Sequence, residues 1–86
     1  IASSIKKRLL TNHPCPYCGG SLGSDYHADH IYPVSKGGLS RNENMVNVCS
    51  SCNLAKKDLT LNVFIKKFEL DRDAIESRLL QLGKDF

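Results

Sequence analysis

Apolar residues recur at helical spacing near the beginning of the chain. Ile1, Ile5 and Leu9 are spaced four residues apart, which predicts a short amphipathic helix at about 1–12. Pro14 limits this helix, because the residue before a proline avoids the helical region of backbone space. The N-terminal flank is therefore expected to be helical.

Two further helices are predicted between about 60 and 83. Thr60 can cap the first and Asp71 the second, because their side-chain oxygens can accept a hydrogen bond from a free backbone N–H of the first turn. Gly83 is suited to close the second helix. The residues expected to face inward are Leu61, Phe64, Ile65 and Phe68 in the first helix, and Ile75, Leu79 and Leu82 in the second.

The segment between these flanks predicts two short strands joined by a loop. Residues 26–31 form the first predicted strand and residues 45–49 the second. Pro33 and the pair Gly37-Gly38 interrupt the chain between them, which is typical of a loop. The strands are short enough that they need a further element to pack against.

A helix is predicted over 52–58, opened by Ser50 or Ser51. The order strand, loop, strand, helix predicts a small α+β fold with a core at about 13–59. A chain of 86 residues makes a single domain, 1–86, with a small core that is expected to need a metal, a disulfide or a partner.

Four cysteines form two closely spaced pairs, Cys15 with Cys18 and Cys49 with Cys52, separated by 30 residues. Two residues between paired cysteines let both sulfurs point at one ion, and two such knuckles complete a tetrahedral four-sulfur shell. The spacing therefore predicts one zinc ion bound by all four cysteines. A closed shell leaves no position for a water molecule, so this zinc would be structural rather than catalytic.

Two other interpretations of the cysteines stay open. A secreted scaffold could join them as disulfides, although no signal peptide is visible in the first dozen residues. A redox protein could use one C-x-x-C pair, although two such pairs in so short a chain favour metal. Both alternatives leave the polar residues between the pairs without a role.

The segment between the cysteine pairs carries polar residues that the predicted fold brings together. Asp29 and His30 end the first strand, Asn44 precedes the second, and Asn53 follows the last cysteine. Asp29 and Asn53 offer hard oxygen ligands, which suit Mg²⁺ or Mn²⁺ better than zinc. His30 supplies an imidazole, the side chain that most readily exchanges a proton near neutral pH. These groups fit phosphodiester hydrolysis by an activated water molecule.

The same residues resemble the motif of the HNH endonucleases, in the order DHIYPVSKGG, NENMVNVCSSCN and then Lys56. The resemblance covers near half of the chain, from Cys15 to about Lys56. It implies a ββα-metal finger, in which two short antiparallel strands and a helix are clamped by the four-cysteine zinc site. The third motif position is Asn53 rather than histidine, as in the Asp-His-Asn-Asn subset seen in some phage, intron-encoded, restriction and RNA-guided nucleases.

The resemblance also implies a role for each polar residue. His30 would be the general base that activates water. Asp29 and Asn53 would hold a catalytic Mg²⁺ or Mn²⁺ that stabilises the scissile phosphate and the 3′ leaving oxygen. Asn44 would support the loop and position the base, with Asn47 as its rival for that role. The implied products of DNA hydrolysis carry 5′-phosphate and 3′-hydroxyl ends.

Further residues are candidates for contacts around this site. His27 lies two positions before Asp29 on the same strand face and could contact phosphate or the metal, or be only an exposed strand residue. His13 could bond to a zinc-bound sulfur, and Tyr17 is expected only to pack. The candidate phosphate contacts, each with a solvated surface as the alternative, are Lys36, Arg41, Lys56 and Lys57.

Charge adds little to this interpretation. The formal net charge is +3, with +5 on residues 1–68 and −2 on residues 69–86. Four thiolates and one zinc ion would lower the total to +1, so the overall charge is weak support for a polyanionic partner.

The expected partner is DNA, contacted mainly through its backbone. Two further partners stay open: a specificity domain elsewhere in the protein, and a second copy of the chain in a homodimer. No apolar run is long enough to span a bilayer. The expected location is intracellular, in the cytoplasm of a bacterium or of a phage-infected cell. Ile1 in place of Met suggests a fragment of a longer protein.

The alternative function is a non-catalytic zinc-finger module that binds nucleic acid or protein. Restriction, homing, phage and defence roles are equally compatible with the sequence.

Overall fold

The computed structural model describes residues 12–86, so the helix predicted at about 1–12 falls almost entirely outside the described residues. Within the described range, two strands precede three α-helices. Their bounds are Tyr26–His30 (β1), Met45–Cys49 (β2), Ser50–Lys56 (α1), Leu61–Phe68 (α2) and Arg72–Gln81 (α3). None of the helices in residues 12–86 has the length and apolar character needed to cross a bilayer.

The two strands pair antiparallel and form the base of the fold. Tyr26 lies opposite Cys49 and His30 lies opposite Met45, so the first strand ends where the second begins. The loop between them contains two short 3-10 turns, Val34–Lys36 and Asn42–Asn44. Helix α1 follows β2 directly and packs against both strands. This arrangement confirms the predicted small α+β fold with a ββα unit.

A small apolar core lies between the ββα unit and the last two helices. Tyr17, from the first cysteine knuckle, meets Phe64 of α2 edge to face, with 5.4 Å between the ring centroids. Most of the apolar residues predicted to face inward are buried. Phe68 is 43% exposed because it ends α2, although its ring lies 5.3 Å from that of Phe64. The buried members of the core are Cys15, Tyr17, Leu22, Ile31, Val46, Val48, Leu61, Phe64, Ile65, Ile75 and Leu79.

The predicted caps of the last two helices are present. The Thr60 hydroxyl accepts a bond from the Val63 N–H at 3.3 Å, and the Asp71 carboxylate accepts one from the Ala74 N–H at 3.1 Å. Gly83 closes α3 with a φ of 73°, a left-handed conformation that glycine adopts without strain.

Helix α1 differs at both ends from the predicted 52–58. It begins at Ser50, and the residue at its N-cap is Cys49, which makes no side-chain cap bond. It ends at Lys56, because Lys57 takes a φ of 50° and leaves the helical path. Because α1 begins at Ser50, Cys52 lies in its first turn, and its sulfur is close to that of Cys49 at the end of β2.

The C-terminal segment holds the turn that precedes Asn44. The Lys84 ammonium donates to the Asn42 carbonyl at 2.8 Å, and the Asp85 N–H donates to the Glu43 carbonyl at 2.7 Å. Burial lowers the pKa of Lys84. The last residues therefore pack directly on the loop that leads into β2.

Candidate functional site

The four cysteines predicted to bind zinc form one cluster. Their sulfur atoms all lie within 4.8 Å of one another, and the Cys18 and Cys49 sulfurs are 3.7 Å apart. A tetrahedral site with Zn–S bonds of about 2.3 Å has sulfur–sulfur edges of about 3.8 Å, so this separation fits a zinc site. All four cysteines are free thiols, which argues against the disulfide interpretation.

The first knuckle is built from backbone hydrogen bonds around Cys15. Its N–H donates to the Gly20 carbonyl at 2.7 Å, and its carbonyl accepts from the Gly19 N–H at 2.8 Å. The Gly20 N–H also points at the Cys18 sulfur, at 3.4 Å. Burial raises the pKa of the Cys15 thiol, so zinc has to displace a proton when it binds there.

Asp29, His30 and Asn53 lie around one open cavity of about 320 Å³. Asp29 and His30 come from the end of β1, and Asn53 comes from the first turn of α1. The antiparallel register and the direct β2-to-α1 connection bring these ends together. The rest of the cavity wall is formed by Ala28, Pro33, Val34, Ser35, Lys57 and Asp58.

Asp29 is 4% exposed and its carboxylate is held from the protein side. The Tyr17 hydroxyl donates to Oδ2 at 2.7 Å, and the Lys56 ammonium lies 3.1 Å from the same oxygen. Burial raises the pKa of the Asp29 carboxyl, and the Lys56 charge and the Tyr17 hydrogen bond oppose that rise. Burial and the Asp29 charge hold the pKa of Tyr17 well above its ordinary value, so its hydroxyl remains a donor.

The burial of Lys56 corrects the prediction that this lysine contacts phosphate. Its side chain is completely buried, and its ammonium donates to the His30 carbonyl at 2.9 Å in addition to pairing with Asp29. A buried ammonium needs such partners, because an unpaired charge away from water is costly. Lys56 therefore faces the interior, where it joins α1 to the end of β1.

Asn53 is held by His27. The Asn53 amide nitrogen donates to Nδ1 of His27 at 3.0 Å, which places the ring proton on Nε2, and Nε2 lies 3.5 Å from the Asp25 carboxylate. With its nitrogen engaged, Asn53 keeps its amide oxygen for a ligand. His27 thus lies beside the predicted metal ligand Asn53, on the strand face that also carries Asp29.

His30 is partly buried and contacts Ser40. Nε2 of the ring lies 2.9 Å from the Ser40 hydroxyl, which can either donate to this nitrogen or accept from it. The contact fixes the ring plane against the loop and leaves the other ring nitrogen outside this bond.

Asn44 ties the loop together with three hydrogen bonds. Its side-chain oxygen accepts from the Tyr32 N–H at 2.8 Å, and its nitrogen donates to the carbonyls of Tyr32 at 3.0 Å and Leu39 at 2.8 Å. Its rival Asn47 is buried in the middle of β2, opposite Ala28. Only Asn44 of the two makes these bonds to the loop.

The remaining basic candidates are more exposed. Lys36 donates to the Asp58 carbonyl at 3.0 Å, which bridges the loop to the end of α1. Arg41 lies 3.6 Å from the Glu43 carboxylate. Lys57 lines the cavity itself.

Two of the contacts that were not predicted from the sequence involve Tyr17 and Ser40. Tyr17 was expected only to pack, yet its hydroxyl reaches Asp29, 12 residues away in the chain. Ser40 was not singled out, because a serine in a loop is too common to signal a site. The position of Tyr17 inside a cysteine knuckle does not indicate which residue its hydroxyl contacts, because Asp29 is brought close to it only by the fold.

Comparison with known proteins identifies one family. A sequence model of the family described as HNH endonuclease matches residues 15–59, just over half of the 86 residues. No curated protein and no solved structure matches the chain. The matched segment runs from the first cysteine of the zinc-site cluster to the residue before the cap of α2, and it includes the whole cavity wall.

Proposed function

The chain belongs to the HNH endonuclease family, and on that premise we propose that it is a metal-dependent endonuclease that hydrolyses DNA phosphodiester bonds. The observation that carries the proposal is the shared cavity of Asp29, His30 and Asn53. This cavity combines a proton acceptor with two hard oxygen donors. A zinc-binding module without nuclease activity would not need that combination. The proposed site of action is intracellular.

His30 acts as the general base in this proposal. It takes a proton from a water molecule as the water oxygen attacks the phosphorus, and the bond from phosphorus to the 3′ oxygen breaks on the opposite side. The products then carry 5′-phosphate and 3′-hydroxyl ends. The contact to Ser40, at 2.9 Å, supports the role because it limits rotation of the ring.

Asp29 and Asn53 would hold a divalent cation. Both side chains line the cavity, and the contacts described for Tyr17, Lys56 and His27 leave one oxygen of Asp29 and the amide oxygen of Asn53 uncommitted to them. A carboxylate and an amide oxygen form a donor set for Mg²⁺ or Mn²⁺. When bound, the cation would supply stabilisation of the charge on the phosphate and the leaving oxygen.

Asn44 keeps the loop in place, and this supports the role proposed for it. The loop between Tyr32 and Leu39 includes three residues of the cavity wall, and Ser40 follows it directly. Three bonds from one side chain fix the ends of this segment to the start of β2. Asn44 is therefore a positioning residue rather than a group that touches the substrate.

DNA would be contacted mainly at its phosphates by the exposed groups around the cavity. Lys57 lines the cavity, Lys36 is anchored beside it, and His27 adjoins Asn53. Contacts of this kind fix the register of the backbone and carry no sequence information. A specificity domain in a longer protein, or a second copy of the chain, would then choose the target.

A plasmid assay tests the proposal. Supercoiled DNA is incubated with zinc-loaded protein in the presence of Mg²⁺ or Mn²⁺, and the control omits these cations, because a strong chelator would also remove the zinc. Nicking that depends on the added cation supports the nuclease. DNA binding without any nicking under all cations would favour the alternative, a non-catalytic zinc-finger module.

Replacing Asn53 with histidine should change the preferred cation. An imidazole nitrogen suits softer ions better than an amide oxygen does, so Asn53→His should cleave relatively better with Ni²⁺ or Zn²⁺ and worse with Mg²⁺. The measurement is the cleavage rate across a series of these cations. Asn62→His, on an exposed position of α2, provides the same chemical change outside the cavity. An unchanged cation profile in Asn53→His would mean that Asn53 is not a ligand.

A further inference from the structure

We propose that Tyr17 and Lys56 are positioning residues for Asp29, which they hold by one carboxylate oxygen so that the other oxygen alone faces the cation. The inference rests on the proposed function, because it assigns these two residues to the same metal site. It gives Tyr17 a role beyond packing and Lys56 a role beyond charge balance.

The evidence begins with the shared oxygen. The Tyr17 hydroxyl, at 2.7 Å, and the Lys56 ammonium, at 3.1 Å, both meet Oδ2 of Asp29. Two donors on one oxygen determine the plane and the rotation of the carboxylate. Oδ1 takes no part in either contact, so Asp29 would bind a cation through a single oxygen.

Both donors are themselves fixed by the fold. Tyr17 and Lys56 are 2% and 0% exposed, so neither side chain can swing into solvent. The Tyr17 ring packs edge to face on Phe64, and the Lys56 ammonium also donates to the His30 carbonyl. Lys56 therefore holds the backbone of the proposed base as well as the carboxylate of its neighbour.

The position of Tyr17 in the sequence couples the two metal sites. It lies between Cys15 and Cys18, inside the first knuckle of the zinc-site cluster. A zinc ion bound by this knuckle would hold Tyr17 in the place from which its hydroxyl reaches Asp29. The zinc site then does more than clamp the ends of the ββα unit, because it also orients a ligand of the proposed catalytic cation.

An ion pair needed only for folding would not require the tyrosine hydroxyl. Lys56 alone neutralises the buried carboxylate, and a phenylalanine at position 17 would fill the same space against Phe64. The hydroxyl adds direction to the carboxylate rather than charge balance. Groups that orient metal ligands in this way usually contribute roughly 10–100-fold to metal affinity or activity.

The test is Tyr17→Phe, which deletes the hydroxyl and keeps the ring. We expect Mn²⁺ binding to zinc-loaded protein, measured by electron paramagnetic resonance in the absence of DNA, to weaken roughly 10-fold or more. Tyr26→Phe makes the same change at an exposed position of β1 and should leave Mn²⁺ affinity unchanged. Ile75→Val, in the core, serves as a control for general destabilisation and should also leave it unchanged.

A double-mutant cycle shows whether Tyr17 acts through Asp29. In an Asp29→Asn background, Tyr17→Phe should cause no further loss of Mn²⁺ affinity, because the carboxylate that it orients is already gone. Equal losses in both backgrounds would contradict the proposal. Tyr17→Phe with wild-type Mn²⁺ affinity, or with lost zinc and an unfolded spectrum, would also overturn it, since the hydroxyl would then be irrelevant or purely structural.

The same experiments separate this inference from the function on which it rests. If the wild-type protein neither binds Mn²⁺ nor nicks DNA, the proposed function fails. If the wild type does both and Tyr17→Phe behaves like the wild type, only the positioning role fails.

Discussion

Cys18→Ser should leave the domain without zinc and unfolded under conditions in which the wild type is folded. Cys18 is an exposed member of the four-cysteine cluster, so its replacement would remove one proposed zinc ligand without opening a hole in the core. Structural zinc contributes on the order of 10 kcal/mol to the folding of zinc-finger peptides. A small domain has a net stability of only about 5–15 kcal/mol, so the apolar core described above cannot compensate for that loss.

The measurements for this prediction are metal content and folded structure. Elemental analysis of the wild type should give one zinc per chain, and circular dichroism should show the folded spectrum disappear in Cys18→Ser. Ser24→Ala, at an exposed position before β1, is the control and should keep both. A folded apo-protein after complete removal of zinc, or two disulfides in the purified protein, would contradict the prediction.

His30→Ala should lose roughly 10²–10⁴-fold in cleavage rate, the usual contribution of a general base. Metal and DNA binding should persist, because the ring is not assigned as a ligand and Asp29 and Asn53 remain in place. The Lys56 ammonium contacts the His30 carbonyl rather than its ring, so the substitution also keeps that hydrogen bond. A rate loss with intact binding therefore isolates proton transfer from positioning.

A second measurement sharpens this prediction. End-group analysis should find 5′-phosphate and 3′-hydroxyl ends. Ser24→Ala, at an exposed position outside the cavity lining, should match the wild type in rate. A near wild-type rate in His30→Ala, or 3′-phosphate products, would mean that the pair Asp29-His30 has been misinterpreted.

Much of the fold could be predicted because its signals are local. The cap residues Thr60 and Asp71 act on backbone groups three residues away, and both caps are present. The strand over 45–49 was predicted with its observed bounds, because four of the five residues of Met45–Cys49 are apolar and the segment lies between turn signals. The end of α1 was not, since the positive φ of Lys57 reflects how the chain turns toward α2 rather than a preference of lysine.

The candidate site also combines features that could be predicted from the sequence with features that could not. The spacing of the cysteines predicted their cluster, because two residues between ligands set the geometry of a knuckle whatever the surrounding fold. The three hydrogen bonds from Asn44 to the loop could not be predicted from the sequence, and its positioning role stays a prediction. Lys56 was misjudged, because sequence alone does not distinguish a lysine on the surface from one that is buried beside a carboxylate.

The chemical groups of the site can be identified from the amino-acid sequence: four thiols at knuckle spacing, a histidine next to an aspartate, and amides at two element ends. Which of these groups contact each other depends on the tertiary structure. It turned Lys56 inward, brought the Tyr17 hydroxyl onto Asp29 and the Asn53 amide onto His27, and left one cavity bordered by the groups proposed for catalysis. Hydrogen-bond partners that lie far apart in the chain are brought together by packing, which depends on every contact in the core. Knuckles and caps, in contrast, depend only on residues close in sequence.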